Sequence, residues 1–226
     1  MANQLDLEEQ EQLDQLKHFW AQYGNLITGL LIVVLGAVAA WNGYHYWERS
    51  QATKAAAMFD EMSKSVAAGD LAMAQRTFSD MKERHASATY TQQAALALAR
   101  QADEKGETET AKAALQWVVE KSGDEAYADI ARLRLANIYF EAADFAKALE
   151  LLEGVKGDAF AALVSDRKGD IFAAQDKRQD AKAAYLQAYQ KFEERAQYRR
   201  VVQVKLHALG VDPDAPAPGK AAEGQK

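Results

Sequence analysis

Between Lys17 and Glu48 the chain carries no Asp, Glu, Lys or Arg, and from Leu26 to Trp41 it is almost unbroken apolar sequence. A helix rises about 1.5 Å per residue, so roughly 20 residues cross a hydrocarbon layer of roughly 30 Å. Residues 24–47 therefore read as a single transmembrane helix. Phe19, Trp20 and Tyr23 flank one end, and Trp41, Tyr44, Tyr46 and Trp47 the other. Such rings favour the headgroup zone, where an apolar body and a polar edge are both satisfied. Two other readings compete. Ala37-Val38-Ala39 has the small-x-small form of a signal-peptide cleavage site, but the segment before the span is long and acidic rather than short and basic. A buried helix of a soluble core would not need so long an uncharged run.

The span divides the chain into a lead-in, residues 1–23, and a body, residues 50–209, followed by a tail. Net charge is −6 and unevenly placed: the lead-in holds five acids (Asp6, Glu8, Glu9, Glu11, Asp14) against Lys17, whereas the body is almost balanced. No basic face of a size suited to nucleic acid is implied. The chain has no Cys, which excludes disulfides, thiolate zinc sites and thiol nucleophiles. Residues 5–23 read as a short helix with Leu13, Leu16, Trp20 and Tyr23 along one stripe.

Within the span, Gly29, Gly36 and Gly43 recur every seven residues and fall along one face, with Ala40 four residues after Gly36. Small residues let a second membrane helix approach closely, where lipid supplies no hydrophobic drive for association. This face is expected to pack on another membrane helix; the general abundance of glycine in membrane helices is the competing explanation.

From Ser50 the sequence alternates amphipathic helices with short breaks at 68–70, 104–107, 142–144, 154–158 and 175–177. All three Pro (Pro213, Pro216, Pro218) lie in the tail, and no stretch keeps a period of two. The fold class is all-α. Internal repetition narrows it further. Ala74, Ala111, Ala148 and Ala181 stand 37, 37 and 33 residues apart. Phe78, Leu115, Leu152 and Tyr185 follow four positions later, and Met81, Val118, Val155 and Ala188 seven positions later. Met62, Ala99, Ala136 and Gly169 precede the alanines by twelve. A small residue where helices cross, a bulky plug and a filler against the next pair make up the tetratricopeptide pattern, whose typical period is about 34. The body is therefore expected to be a tetratricopeptide-like α-solenoid of about four helix pairs. A capping helix over 193–209 should follow, with Tyr198, Val202, Leu206 and Leu209 inward and a basic outer face of Arg195, Arg199, Arg200 and Lys205. The segment 210–226, rich in Pro, Gly and charge, is expected to be a disordered tail.

Chemistry is sparse. His18, His45, His85 and His207 are scattered and show no metal-ligand spacing, and no nucleophile elbow, Walker motif or glycine-rich phosphate loop occurs. No catalytic, cofactor-binding or metal-binding residue is assigned, and the chain is not expected to be an enzyme. Stacked repeats instead offer a concave surface. In the tetratricopeptide register its lining comprises Leu96, Arg100, Ile130, Leu133, Asn137, Phe140, Leu163 and Asp170. Some tetratricopeptide domains grip a terminal carboxylate with Lys and Asn; here only Asn137 fits, with Leu133 and Asp166 where Lys is wanted. An apolar groove for a partner segment is the better reading, and packing against the next repeat is the other use of these side chains.

The lead-in EEQEQLDQLKHFWAQYGN, the span after it and the repeats together resemble the YfgM family, ancillary subunits of the bacterial SecYEG translocon. The resemblance implies an inner-membrane protein with a cytoplasmic N-terminus and a periplasmic repeat domain. Its implied partners are SecYEG, a PpiD-like membrane-anchored chaperone, and secreted or envelope client proteins. Charge leans weakly the other way, since Arg49, Lys54 and Lys64 follow the span while Lys17 and the amino terminus precede it. A different use is also open: a membrane-tethered scaffold recruiting one dedicated soluble or regulatory partner.

Overall fold

The computed structural model describes the backbone of residues 7–215 and the side chains of residues 11–215. Among the described residues the protein is all-α, and the chain divides into two compact units between Thr53 and Lys54. Helix α1 (Leu7–Ala67) runs unbroken through the lead-in and the apolar stretch, and its last residues belong to the second unit. No proline interrupts it, and isolated glycines lower helix propensity without ending a helix of this length. It is the one described helix long and apolar enough to cross a membrane. Leu30, Leu35 and Trp41 are 60%, 65% and 67% exposed, which a buried core helix would not show. The helix does not stop after Trp47, where the span was expected to end. Nothing in 48–53 breaks a helix, and the body begins on the same run of backbone hydrogen bonds.

The second unit continues with α2 (Leu71–Arg84), α3 (Thr89–Glu104), α4 (Thr108–Lys121), α5 (Glu125–Glu141) and α6 (Phe145–Glu153). After a short 3-10 turn come α7 (Ala161–Ala174), α8 (Arg178–Lys191) and α9 (Gln197–Ala208). Consecutive helices pack on one another from α2 to α9. Asp70, Asp124 and Asp144 cap α2, α5 and α6 by accepting the otherwise free N–H of Met73, Ala126 and Lys147.

One turn recurs within every pair. Gly69, Gly106, Ala143 and Asp176 all adopt positive φ (74°, 77°, 59° and 58°), at the spacings of the register alanines. In each case the N–H of this residue bonds the carbonyl three back, and the next N–H bonds the carbonyl five back. This is the Schellman closure of a helix end. Glycine enters that region freely and Asp tolerates it, whereas the alanine methyl is crowded. Ala143→Gly is expected to raise stability by about 0.5–1 kcal/mol, the relief of strain exceeding the added entropy of the unfolded chain. An unchanged or lower thermal midpoint by circular dichroism would refute this.

The register residues form the interior. Met62, Ala74, Met81, Ala111, Val118, Ala148, Ala181 and Ala188 are 0% exposed, and Phe78, Ala99, Leu115, Ala136, Leu152, Gly169 and Tyr185 are also buried. Val155 alone is only half-buried, because α6 ends at Glu153 and leaves it in the loop. The first pair is well packed: Ala55, Met58, Phe59 and Met62 of α1 join the core of α2 to α5.

Two expectations need correction. The capping helix starts at Gln197, not at residue 193, and its basic face is not simply solvated. Arg199 lies over the Tyr189 ring at 3.9 Å, and Lys205 is drawn inward to carboxylates. The tail, moreover, does not detach at Gly210. Val211 packs against the α8–α9 core, and Asp214 accepts bonds from Tyr189 Oη (2.7 Å) and Gln203 Nε2 (2.9 Å). Those polar anchors hold the chain despite its composition. The remaining tail, 216–226, lies outside the described residues, as does the start of the lead-in.

Candidate functional site

A cleft of about 350 Å³ opens across α3, α5 and α7, the first helices of three successive pairs. Leu133 and Leu163 line it together with Ala99, Leu115 and Ile138. Polar groups come from Arg100, Asp103, Arg134, Asn137 and Arg167. The first helices face the same side because the pairs repeat with the same turn and register, so positions recurring at the repeat spacing come side by side.

Of the eight predicted lining residues, the structure brings Arg100, Leu133, Asn137 and Leu163 together here. Leu96 is buried and Ile130 packs into the core of α2 to α5, so neither lines the cleft. Phe140 and Asp170 line a separate, smaller cavity that Asn137 also borders. The Phe140 ring lies 6.0 Å from that of Phe145. Asp170 is engaged by the neighbouring helices: it accepts from Tyr185 Oη and from Lys205 Nζ, both at 2.7 Å. Asp166, which occupied a lysine slot in the sequence register, is fully buried and receives Lys205 Nζ at 2.7 Å and Tyr198 Oη at 3.0 Å. Both acids serve the contact of α7 with α8 and α9.

Sequence reading missed Arg134 and Arg167. Each stands two residues before a small register residue, Ala136 and Gly169, so their equivalence was available from the repeat alignment. Arg134 Nη1 donates to the Leu96 carbonyl at 3.0 Å. Removal from water in the cleft, reinforced by the Arg100 charge nearby, pushes the Arg134 guanidinium below the usual arginine range. Arg100 is paired with Glu104 at 2.8 Å and Arg167 with Asp170 at 3.2 Å.

A buried acid on the other side of α5 has a structural role. Asp129, 0% exposed, accepts from Gly157 N (2.8 Å) and Lys156 N (3.2 Å) and pairs with Arg132 at 2.6 Å. It fixes the irregular link between α6 and α7. Among the described residues no three His, Cys, Asp or Glu side chains gather where they could hold a metal ion. On the span, a Cβ added at Gly29, Gly36 or Gly43 meets nothing within 4 Å, so this face, with exposed Ala40 beside it, is smooth and open.

The tetratricopeptide repeat-like domain family matches residues 17–211. Curated relatives match most of the chain. The chain is 29% identical to the ancillary SecYEG translocon subunit of Haemophilus influenzae, over 81% of this chain and 90% of that protein. It is 28% identical to the Neisseria gonorrhoeae protein of the same name, over 90% and 98%. The Escherichia coli K12 protein of that name is 26% identical, over 90% and 97%. No solved structure matches. A family match over residues 17–211, and relatives that cover 81–90% of the chain, place it in the tetratricopeptide repeat-like family and, within it, in the YfgM family.

Proposed function

We propose that this protein is a non-enzymatic accessory subunit of the bacterial protein-secretion translocon, acting through protein–protein contacts of its repeat unit. One observation carries the reading. An apolar cleft with polar edges is shared by three successive repeats, a surface for a polypeptide rather than a reaction centre. The names of the aligned relatives supply the assembly, SecYEG. A PpiD-like chaperone and emerging envelope proteins are the further partners of this reading. The span sits in the inner membrane with its N-terminus cytoplasmic and its repeats periplasmic, and the glycine face of Gly29, Gly36, Ala40 and Gly43 meets a neighbouring membrane helix.

The test is purification of the native complex in mild detergent from cells carrying the wild-type chain, Gly36→Leu or Leu133→Arg. Wild type is expected to retain SecYEG and the periplasmic chaperone. Gly36→Leu should reduce recovery of membrane partners, and Leu133→Arg recovery of partners held by the cleft, each by about fivefold or more. Recovery of one folded soluble protein and no translocon would replace this reading with that of a dedicated scaffold. External protease should digest the repeat unit in intact spheroplasts; its survival there would overturn the periplasmic orientation.

A further inference from the structure

We propose that the cleft between α3, α5 and α7 selects acidic segments: stretches of partner polypeptide in which Asp or Glu side chains alternate with leucine-sized apolar ones. The inference rests on the reading of the cleft as a polypeptide site and names the chemistry it recognises. Three guanidinium groups, on three different helices, stand around an apolar floor of Leu133, Leu163 and Ile138. One carboxylate, Asp103, shares the lining. Arg100 and Arg167 have partners on their own helices, each of which leaves part of the planar fork free.

Arg134 differs from both. Its one bond is to the Leu96 carbonyl, and among the described residues it pairs with no carboxylate, although Arg100 crowds it with like charge. A cation held beside another cation, partly out of water, gains most from an anion brought by a partner. Arginine forms two parallel bonds to a carboxylate, stronger and more directional than neutral ones. Because the cations come from three successive repeats, guanidinium donors are spaced along the cleft rather than converging on a point. That arrangement fits several side-chain carboxylates along an extended segment better than one chain-terminal carboxylate. The apolar floor between them takes the intervening side chains. Pairing with the free guanidinium donors orients such a segment, and burial of its apolar groups holds it.

The experiment measures fluorescence anisotropy of a labelled, C-terminally amidated peptide of leucine, alanine and glutamate. It is titrated with the full chain in detergent micelles, alongside versions with glutamine or lysine in place of glutamate and one with glutamine and a free terminal carboxylate. The glutamate peptide should bind about tenfold more tightly than the glutamine peptide, and the preference should shrink as salt rises from about 0.05 to 0.5 M. Arg134→Gln and, separately, Arg100→Gln should erase most of that preference while leaving helix content unchanged. Two variants guard against one failing to fold. Equal binding of glutamate and glutamine peptides, preference for lysine, or dependence on the free terminus alone would each overturn the proposal. In the first case the translocon reading still stands if the complex purifies with its partners. Acidic preference in a chain that recovers no translocon would uphold this inference and end that reading instead.

Discussion

Gly169→Ala should destabilise the repeat unit by about 2–3 kcal/mol, although alanine is the better helix former by about 1 kcal/mol. Gly169 lies in the interior of α7, where α8 crosses it. A Cβ built there stands 2.4 Å from both Cδ1 and Cε1 of Tyr185 and 3.0 Å from its Cγ, more than an ångström inside ordinary contact at the closest atoms. The obstacle is the body of a ring, not the free end of a flexible chain. Nor can the ring swing aside: Tyr185 is 4% exposed, and its hydroxyl is held by Asp170 at 2.7 Å. The clash therefore outweighs the propensity gain, and the thermal midpoint should fall by roughly 5–10 °C. Pairing the change with Tyr185→Leu should recover part of the loss relative to the sum of the single changes. A midpoint that rises for Gly169→Ala would show that propensity wins and that the helices separate at little cost.

The second large effect is expected at Lys205. Its ammonium lies between Asp166 and Asp170, 2.7 Å from an oxygen of each, and sits over the Tyr185 ring, 5.2 Å from its centroid. Asp166 is completely buried. Lys205→Met keeps the stem and removes the charge, leaving Asp166 with only the Tyr198 hydroxyl. Breaking a buried pair from one side costs about 3–5 kcal/mol, much of it the desolvation of the abandoned carboxylate. Replacing Asp166 by Asn in the same chain should therefore restore a large share of the stability. If Lys205→Met alone changed the unfolding midpoint no more than a surface substitution does, the cluster would carry no such weight.

The same cluster sets an alkaline limit. Burial opposes the Lys205 ammonium, but its bonds to Asp166 and Asp170 outweigh that, so its pKa lies above the ordinary 10.5. Burial, then the bond to Asp170, raises Tyr185, and burial with the nearby Asp166 charge raises Tyr198, both above 10.0. All three hold protons more tightly folded than unfolded. Their contribution is complete below the unfolded values and disappears as pH climbs through the folded ones. Stability should be insensitive to these groups near neutrality and fall from about pH 10 upward, with a shallower fall in Lys205→Met.

The helix that opens the chain, the all-α class and the repeat register were all legible in the residues. Each is a local or periodic property: an uncharged run, an apolar spacing, a small residue recurring at the crossing point. Even Gly169 could be singled out as the smallest member of its register set. What could not be read was direction. Asp166 and Asp170 fall on an inner helix, where the register predicts lining, yet the neighbouring α9 supplies Lys205 and Tyr198 and draws them into the interior. Leu96 and Ile130, apolar and correctly spaced, go to the core rather than the cleft. Asp214, in a segment whose composition argues for disorder, is held by Tyr189 and Gln203. Sequence by itself determined which elements form and at what repeat, because those depend on neighbours three or four positions away. Only the tertiary structure decided which polar groups meet, because a buried charge goes where a partner from a distant helix can satisfy it.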